Sequence, residues 1–180
     1  PVKKYHKPAP ERFMDLLGPL LPKSDWATIN CIEDNLAFNI DEYDAYLITG
    51  GKYSVFENLD WQHKLFDLIR TIYHNNIPIL GICYGHQALA HVLGGRVERF
   101  KNGWGAGVTL VNVVDQPDWI KPLAKKVYLL TMHQDQVVKM PSKGVHLLSN
   151  HDCNISGFYI DDKVLAIQQH PDLTPELCRD

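Results

Sequence analysis

Apolar positions in the first half of the chain fall into short strand-like runs separated by stretches at helical spacing. Lys3 to Pro10 is basic, proline-rich and reads as irregular. Phe13, Met14, Leu16 and Leu17 make Glu11 to Leu17 a short amphipathic helix, stopped by Gly18-Pro19. Trp26 to Ile32 alternates and contains Thr28 and Ile29, which predicts a strand. Asp34 to Asp44 is a polar connection with Leu36, Phe38 and Ile40 interspersed. Ala45 to Thr49 is a short apolar strand that runs into Gly50-Gly51. Leu65, Phe66, Leu68, Ile69, Ile72 and Tyr73 predict a helix from Trp61 to Asn75, capped by Asn58 or Asp60. A further apolar run, Ile77 to Ile82, gives way at once to a helical pattern, Gly85 to Leu93, closed by Gly94-Gly95.

The second half changes character. Gly103-Trp104-Gly105-Ala106-Gly107 reads as a flexible segment. Val108 to Val114, Val127 to Met132 and Val145 to Ser149 read as strands, and Phe158 to Gln168 as a hairpin turning at Asp161-Asp162-Lys163. Helices alternating with short apolar strands imply an α/β fold: three layers, a mostly parallel sheet with helices on both faces, and a β-rich, partly antiparallel second half. No repeat, linker or low-complexity stretch divides residues 1–180, so they are expected to form a single domain. The start at Pro1, and a helix opening at Thr174-Pro175-Glu176 with few residues after it, read as truncation at both ends.

Chemistry concentrates at Gly81-Ile82-Cys83-Tyr84-Gly85. A strand that turns abruptly into a helix with a nucleophile at the turn is a nucleophile elbow, here in its cysteine form. Glycines on either side allow close backbone approach. A thiol at a helix N-terminus gains from the free N–H groups and the helix dipole. Most cysteines are buried structural residues; this context reverses that expectation for Cys83. A cysteine nucleophile needs a base and a group that orients it. His170 ends the last strand, and Asp172, two residues on, can reach the other ring nitrogen. His133 also follows a strand and is a candidate wall of the site. His86 and His91, on the helix after the elbow, read as packing or surface residues. Backbone N–H groups of Tyr84 and of the Gly50-Gly51 turn are the candidate oxyanion donors. His133 with Asp135 lacks a third ligand at a recognised spacing, so no metal is expected.

Composition narrows the class. Of 180 residues 45% are hydrophobic and 22% charged, as in a globular domain. The formal net charge of −3 offers no electrostatic footprint for nucleic acid, and no apolar run reaches the length of a membrane span. Cys31, Cys83, Cys153 and Cys178 match neither a disulfide framework nor a zinc site, which suits a reducing cytoplasmic setting.

Gly81-Ile82-Cys83-Tyr84-Gly85-His86-Gln87, with Ile48-Thr49-Gly50-Gly51 upstream, Met132 to Val137, and His170-Pro171-Asp172 downstream, resembles the class I (triad-type) glutamine amidotransferases. The branch it resembles includes the amidotransferase domain of GMP synthetase and the γ-glutamyl peptidases, and the resemblance runs from about Tyr43 to Leu177. It implies a flavodoxin-like sheet and no cofactor. It also implies cleavage of the γ-amide of glutamine, or of a γ-glutamyl compound, through a Cys83 thioester, with His170 as proton shuttle and Asp172 as third member. Gly51 and Tyr84 would supply the oxyanion donors, and Gly50, Gln87 and His133 would hold substrate. The family pattern reads His-Pro-Glu, so Asp172 is one methylene short. The chain contains no G-x-x-x-x-G-K-[ST] nucleotide loop. A separate synthetase subunit is therefore one expected partner. The alternatives are a stand-alone γ-glutamyl peptidase acting on glutathione-like peptides, or a catalytically degenerate binding or regulatory subunit.

Overall fold

Ile79, Leu80 and Ile82 leave the strand before the elbow without a polar face, so it has to be covered on both sides. The computed structural model, which describes residues 7–34, 36, 38–121 and 124–174, shows how. Among the described residues, three α-helices, α1 (Ala9–Leu17), α2 (Asp60–His74) and α3 (Tyr84–Val92), accompany nine strands: β1 (Tyr46–Ile48), β2 (Ile79–Ile82), β3 (Arg96–Arg99), β4 (Gly105–Val113), β5 (Lys126–His133), β6 (Asp135–Lys139), β7 (Val145–Ser149), β8 (Gly157–Ile160) and β9 (Val164–Ile167). Seven of them form one sheet in the order β1-β2-β9-β8-β7-β4-β5, and β3 pairs with β6 apart from it. The parallel character expected from the sequence holds for β1, β2 and β9, the strands that carry the site. The β-rich half is antiparallel, so the whole sheet is mixed.

Alternation along β1, β2 and β9 sends side chains to opposite faces. On one face Phe13 and Leu17 of α1 pack against Leu47, Leu80, Ile82, Cys83 and Ile167. On the other, Leu65, Phe66, Ile69 and Ile72 of α2 and Leu89 of α3 pack with Ile79, Phe158, Val164 and Ala166. Each of the valine, leucine, isoleucine and phenylalanine side chains among them contributes about 1.5–3 kcal/mol when fully buried.

Several expectations are corrected. Trp26 to Ile32 forms no strand. Asn30 turns the chain instead, accepting the Ile32 N–H on its side chain at 3.1 Å and the Asp34 N–H on its carbonyl at 2.8 Å. The helix of the N-terminal region begins at Ala9, so Ala9 and Pro10 are not irregular. Proline at the second helical position is tolerated because the first turn's N–H groups have no intrahelical acceptor. Neither Asn58 nor Asp60 caps α2. Leu59 takes that position and Gln62 reaches back to its N–H at 3.1 Å. Gly105 to Gly107 are not a loose segment but open β4, paired with His133 to Thr131. β3 was not anticipated, because of its four residues only Val97 is buried. The expected helix opening at Pro175-Glu176 and the thiol of Cys178 lie outside the described residues.

Candidate active site

Adjacent parallel strands end side by side. β1 delivers Gly50 and Gly51, β2 delivers Cys83, and β9 leads into His170 and Asp172. The Cys83 N–H donates to the Ile167 carbonyl at 2.9 Å, which ties the elbow to β9 at the point where both strands finish. Cys83 itself has φ 54° and ψ −102°, a conformation that L side chains rarely adopt. The flanking glycines make the turn possible. A Cβ on Gly81 would stand 2.6 Å from the Gly85 carbonyl oxygen, and one on Gly85 would overlap the carbonyl of Ile48. As first residue of α3, Tyr84 presents an N–H with no intrahelical acceptor. Gln62 of α2 braces that residue, donating from Nε2 to the Tyr84 hydroxyl at 3.1 Å and to the Ser54 carbonyl at 2.8 Å. Burial pushes the Tyr84 phenol up to about 12, so it stays protonated.

Cys83, His170 and Asp172 are all buried. Asp172 Oδ1 lies 3.2 Å from His170 Nδ1, so the shorter acid reaches the ring without a bridging water. Asp172 Oδ2 accepts from Arg12 Nε at 3.0 Å and Nη2 at 2.8 Å, a partner the sequence did not disclose. The thiol donates to the Met132 carbonyl at 3.8 Å and also interacts with the imidazole. Burial by itself would lower His170. Hydrogen bonds with Asp172 and Cys83, and the charges of both, outweigh it and push the ring up to about 9. Burial would raise Asp172, but hydrogen bonds from His170 and Arg12, with their positive charges, hold its carboxyl below the usual range. Gly50 closes the group from β1. A Cβ there would lie 2.9 Å from His170 Cε1 and 3.5 Å from Cys83 Cβ. Gly51 packs on the Tyr84 ring.

A cavity of about 240 Å³ opens over the thiol, between the 51–57 turn, β5 and the start of β6. Its wall carries both signs of charge: Lys52 and Arg99, Glu57 and Asp135. Arg99 pairs with buried Asp135 at 3.1 Å and reaches the Gln134 side chain and Ser54 Oγ. Gln87 and His133 also line the cavity. The Gln87 amide nitrogen, however, is committed to the Asp135 carbonyl at 2.9 Å and to Gln168 Oε1 at 3.1 Å. Burial lowers His133, and its Nδ1 is unpartnered among the described residues. His86 is a core residue, its Nδ1 3.3 Å from Gln168 Oε1 and its ring beside Phe158. Burial pushes it down to about 3. His91 lies at the surface beside Phe66. Sequence reasoning missed Arg12, Glu57 and Arg99, none of which carries a local signature.

This is the geometry of an elbow nucleophile. A profile of the glutamine amidotransferase class-I family matches residues 24–178. The chain belongs to that family. Among its relatives, γ-glutamyl peptidase 3 of Arabidopsis thaliana is 28% identical over 145 residues, 77% of this chain and 58% of that protein. A subunit of the glutamine-hydrolysing GMP synthase of Sulfolobus acidocaldarius is 33% identical over 141 residues, 78% of this chain and 73% of that protein. The chain thus spans little more than half the length of the plant peptidase. The crystal structure of a Thermotoga maritima glutamine amidotransferase superposes with a TM-score of 0.80 at 25% identity, covering 92% of this chain and 72% of that one. That of a GMP synthase subunit from Thermoplasma acidophilum gives 0.76 at 26% identity, covering 93% and 80%. Among the described residues no helix of this amidotransferase-family chain is long and apolar enough to cross a membrane.

Proposed function

We propose that this chain hydrolyses the γ-amide of glutamine, or the γ-glutamyl bond of a related compound, through a thioester on Cys83. The observation that carries the reading is the meeting of a strained cysteine with an imidazole raised to about 9 at the ends of adjacent parallel strands. The imidazole, held by Asp172, takes the thiol proton and leaves sulfur in its nucleophilic form. The sulfur attacks the γ-carbonyl carbon. The resulting oxyanion takes hydrogen bonds from the N–H groups of Tyr84 and Gly51. His170 gives its proton to the departing nitrogen, the C–N bond breaks, and ammonia or an amine leaves. Water then loses a proton to His170 and attacks the thioester, and glutamate departs as the thiolate reforms. The mixed charge of the cavity wall suits the ammonium and carboxylate at the far end of a γ-glutamyl group.

The direct contact of Asp172 with His170 speaks against a degenerate binding subunit. Relatives named as subunits of glutamine-hydrolysing GMP synthase support glutamine as substrate, with ammonia passed to a separate synthetase subunit. Relatives named γ-glutamyl peptidase support a γ-glutamyl peptide instead. A panel of glutamine, glutathione and γ-glutamyl dipeptides, assayed for glutamate and for ammonia, tests the proposal and separates the two substrates. Cys83→Ala must abolish turnover and labelling by a glutamine-like electrophile; intact turnover in that variant would falsify the thioester route.

A further inference from the structure

Arg12 belongs to α1, ahead of the residues matched by the family profile, yet its guanidinium is the charge partner of the site's acid. We infer that Arg12 is a positioning residue for the Cys83, His170 and Asp172 centre: it pins one oxygen of the short Asp172 carboxylate so that the other stays on His170. The inference takes that trio as the working centre of the proposed function.

The contacts divide the carboxylate cleanly. Nε and Nη2 of Arg12 both donate to Oδ2, at 3.0 and 2.8 Å, and Oδ1 is left for His170 Nδ1 at 3.2 Å. The Asp172 side chain is 1% exposed and that of Arg12 19%. A carboxylate so buried cannot turn to water for a partner, so its orientation is set by the groups around it. The guanidinium is held in turn. Its Nη1 donates to the Lys7 carbonyl at 2.8 Å, and Phe13, the next residue, packs against Ile82 and Cys83. Consecutive residues of one helix therefore bond the acid and share a packed cluster with the nucleophile. The resemblance implies a glutamate at this position. An aspartate has one methylene less reach, and a cation on its far side supplies the constraint that length would otherwise give.

Two effects of Arg12 on His170 oppose each other. Its charge draws on the same carboxylate and weakens the hold on the imidazolium. Its hydrogen bonds keep the carboxylate aimed at the ring. Orientation should dominate, because the contact between Asp172 and His170 is direct whereas the cation sits on the opposite oxygen. A plain structural tether for α1 would affect stability alone.

The test is the pH dependence of Cys83 alkylation by iodoacetamide in the full chain. It needs no substrate, so a failure of glutamine hydrolysis and a failure of this inference are told apart. Arg12→Ala should move the midpoint for thiolate formation upward by about half a pH unit or more. It should also slow alkylation at pH 7, with partial recovery on adding guanidinium chloride and none with sodium chloride. Arg12→Ala combined with Asp172→Glu should bring the midpoint back toward that of the unsubstituted chain. With a γ-glutamyl substrate, Arg12→Ala should lower kcat by about 100-fold, the scale of a misplaced catalytic group, at nearly constant KM. Should Arg12→Ala not fold, Arg12→Lys serves instead: its single ammonium cannot fork, and a smaller upward shift is expected. A midpoint that stays put or falls in the folded variant overturns the inference, and so does a double variant no better than Arg12→Ala.

Discussion

Gly50 lies against the imidazole of His170, with only 2.9 Å between the ring's Cε1 and the place where a Cβ would stand. The same point is 3.5 Å from Cys83 Cβ and 3.7 Å from His170 Nε2. Gly50→Ala would therefore press a methyl against both the nucleophile and the base. We expect kcat/KM to fall by about 100-fold while thermal unfolding stays close to that of the parent. Steady-state kinetics beside a melting curve check this; near-normal turnover would mean that the pair does not meet during the reaction.

Buried histidines shift the pH response of stability in opposite directions. His170 has its folded value raised to about 9, so the stabilisation it gives is complete below the unfolded value of about 6.5 and is lost as pH rises through 9. His86 is pushed down to about 3, so its neutral form is favoured in the fold, and stability is lost as pH falls from 6.5 toward 3. His133, lowered by burial, and Asp172, held below its usual range, add to the acid loss. Stability should therefore fall on both sides of about pH 6.5, with slopes of up to about 1.4 kcal/mol per pH unit for each group. Urea midpoints from pH 4 to 10 test this. Cys83→Ala should lessen the alkaline loss in part, since Asp172 still holds the ring, and His86→Gln should lessen the acid loss.

Phe13 is 2% exposed and packs on Ile82 and Cys83. Phe13→Ala should cost about 3–5 kcal/mol, the range for emptying a buried aromatic site. Denaturant unfolding measures it. A loss below about 1 kcal/mol would show that α1 adds little to the fold.

Arg99 spans the cavity mouth, from Ser54 on one side to Asp135 and Gln134 on the other. It does not touch Cys83, His170 or Asp172. Arg99→Ala should therefore raise KM about 10-fold and leave kcat nearly unchanged, the signature of an interaction shared by ground and transition states. A selective fall in kcat would place Arg99 in the chemistry instead.

The elements around the elbow were legible because their signals are local. An apolar run, a glycine on each side of a cysteine and a helical pattern after it follow one another without a break in the sequence. His170 and Asp172 were legible for the same reason, as a histidine, a proline and an acid in succession at a strand end. Arg12 and Arg99 were not. Their roles depend on which distant segments the sheet order sets beside them, and an isolated arginine on an amphipathic helix reads as solvated surface. The strand expected at Trp26 failed on another ground. Alternation specifies two faces but not a neighbour to pair with, and the Asn30 turn offered the backbone its hydrogen bonds locally. Gln87 shows the limit of a motif: its position lies at the cavity, but its amide nitrogen is spent on the protein itself.

β9 is among the last elements of the described chain, yet it occupies the middle of the sheet, between β2 and β8. α2, the elbow and α3 are contiguous in the chain, but the imidazole joins them only once this late strand pairs with β2. Until then the thiol has no proton acceptor and the half-built sheet exposes two unpaired edges. In the proposed mechanism the pairing of that one strand with β2 is what joins base to nucleophile.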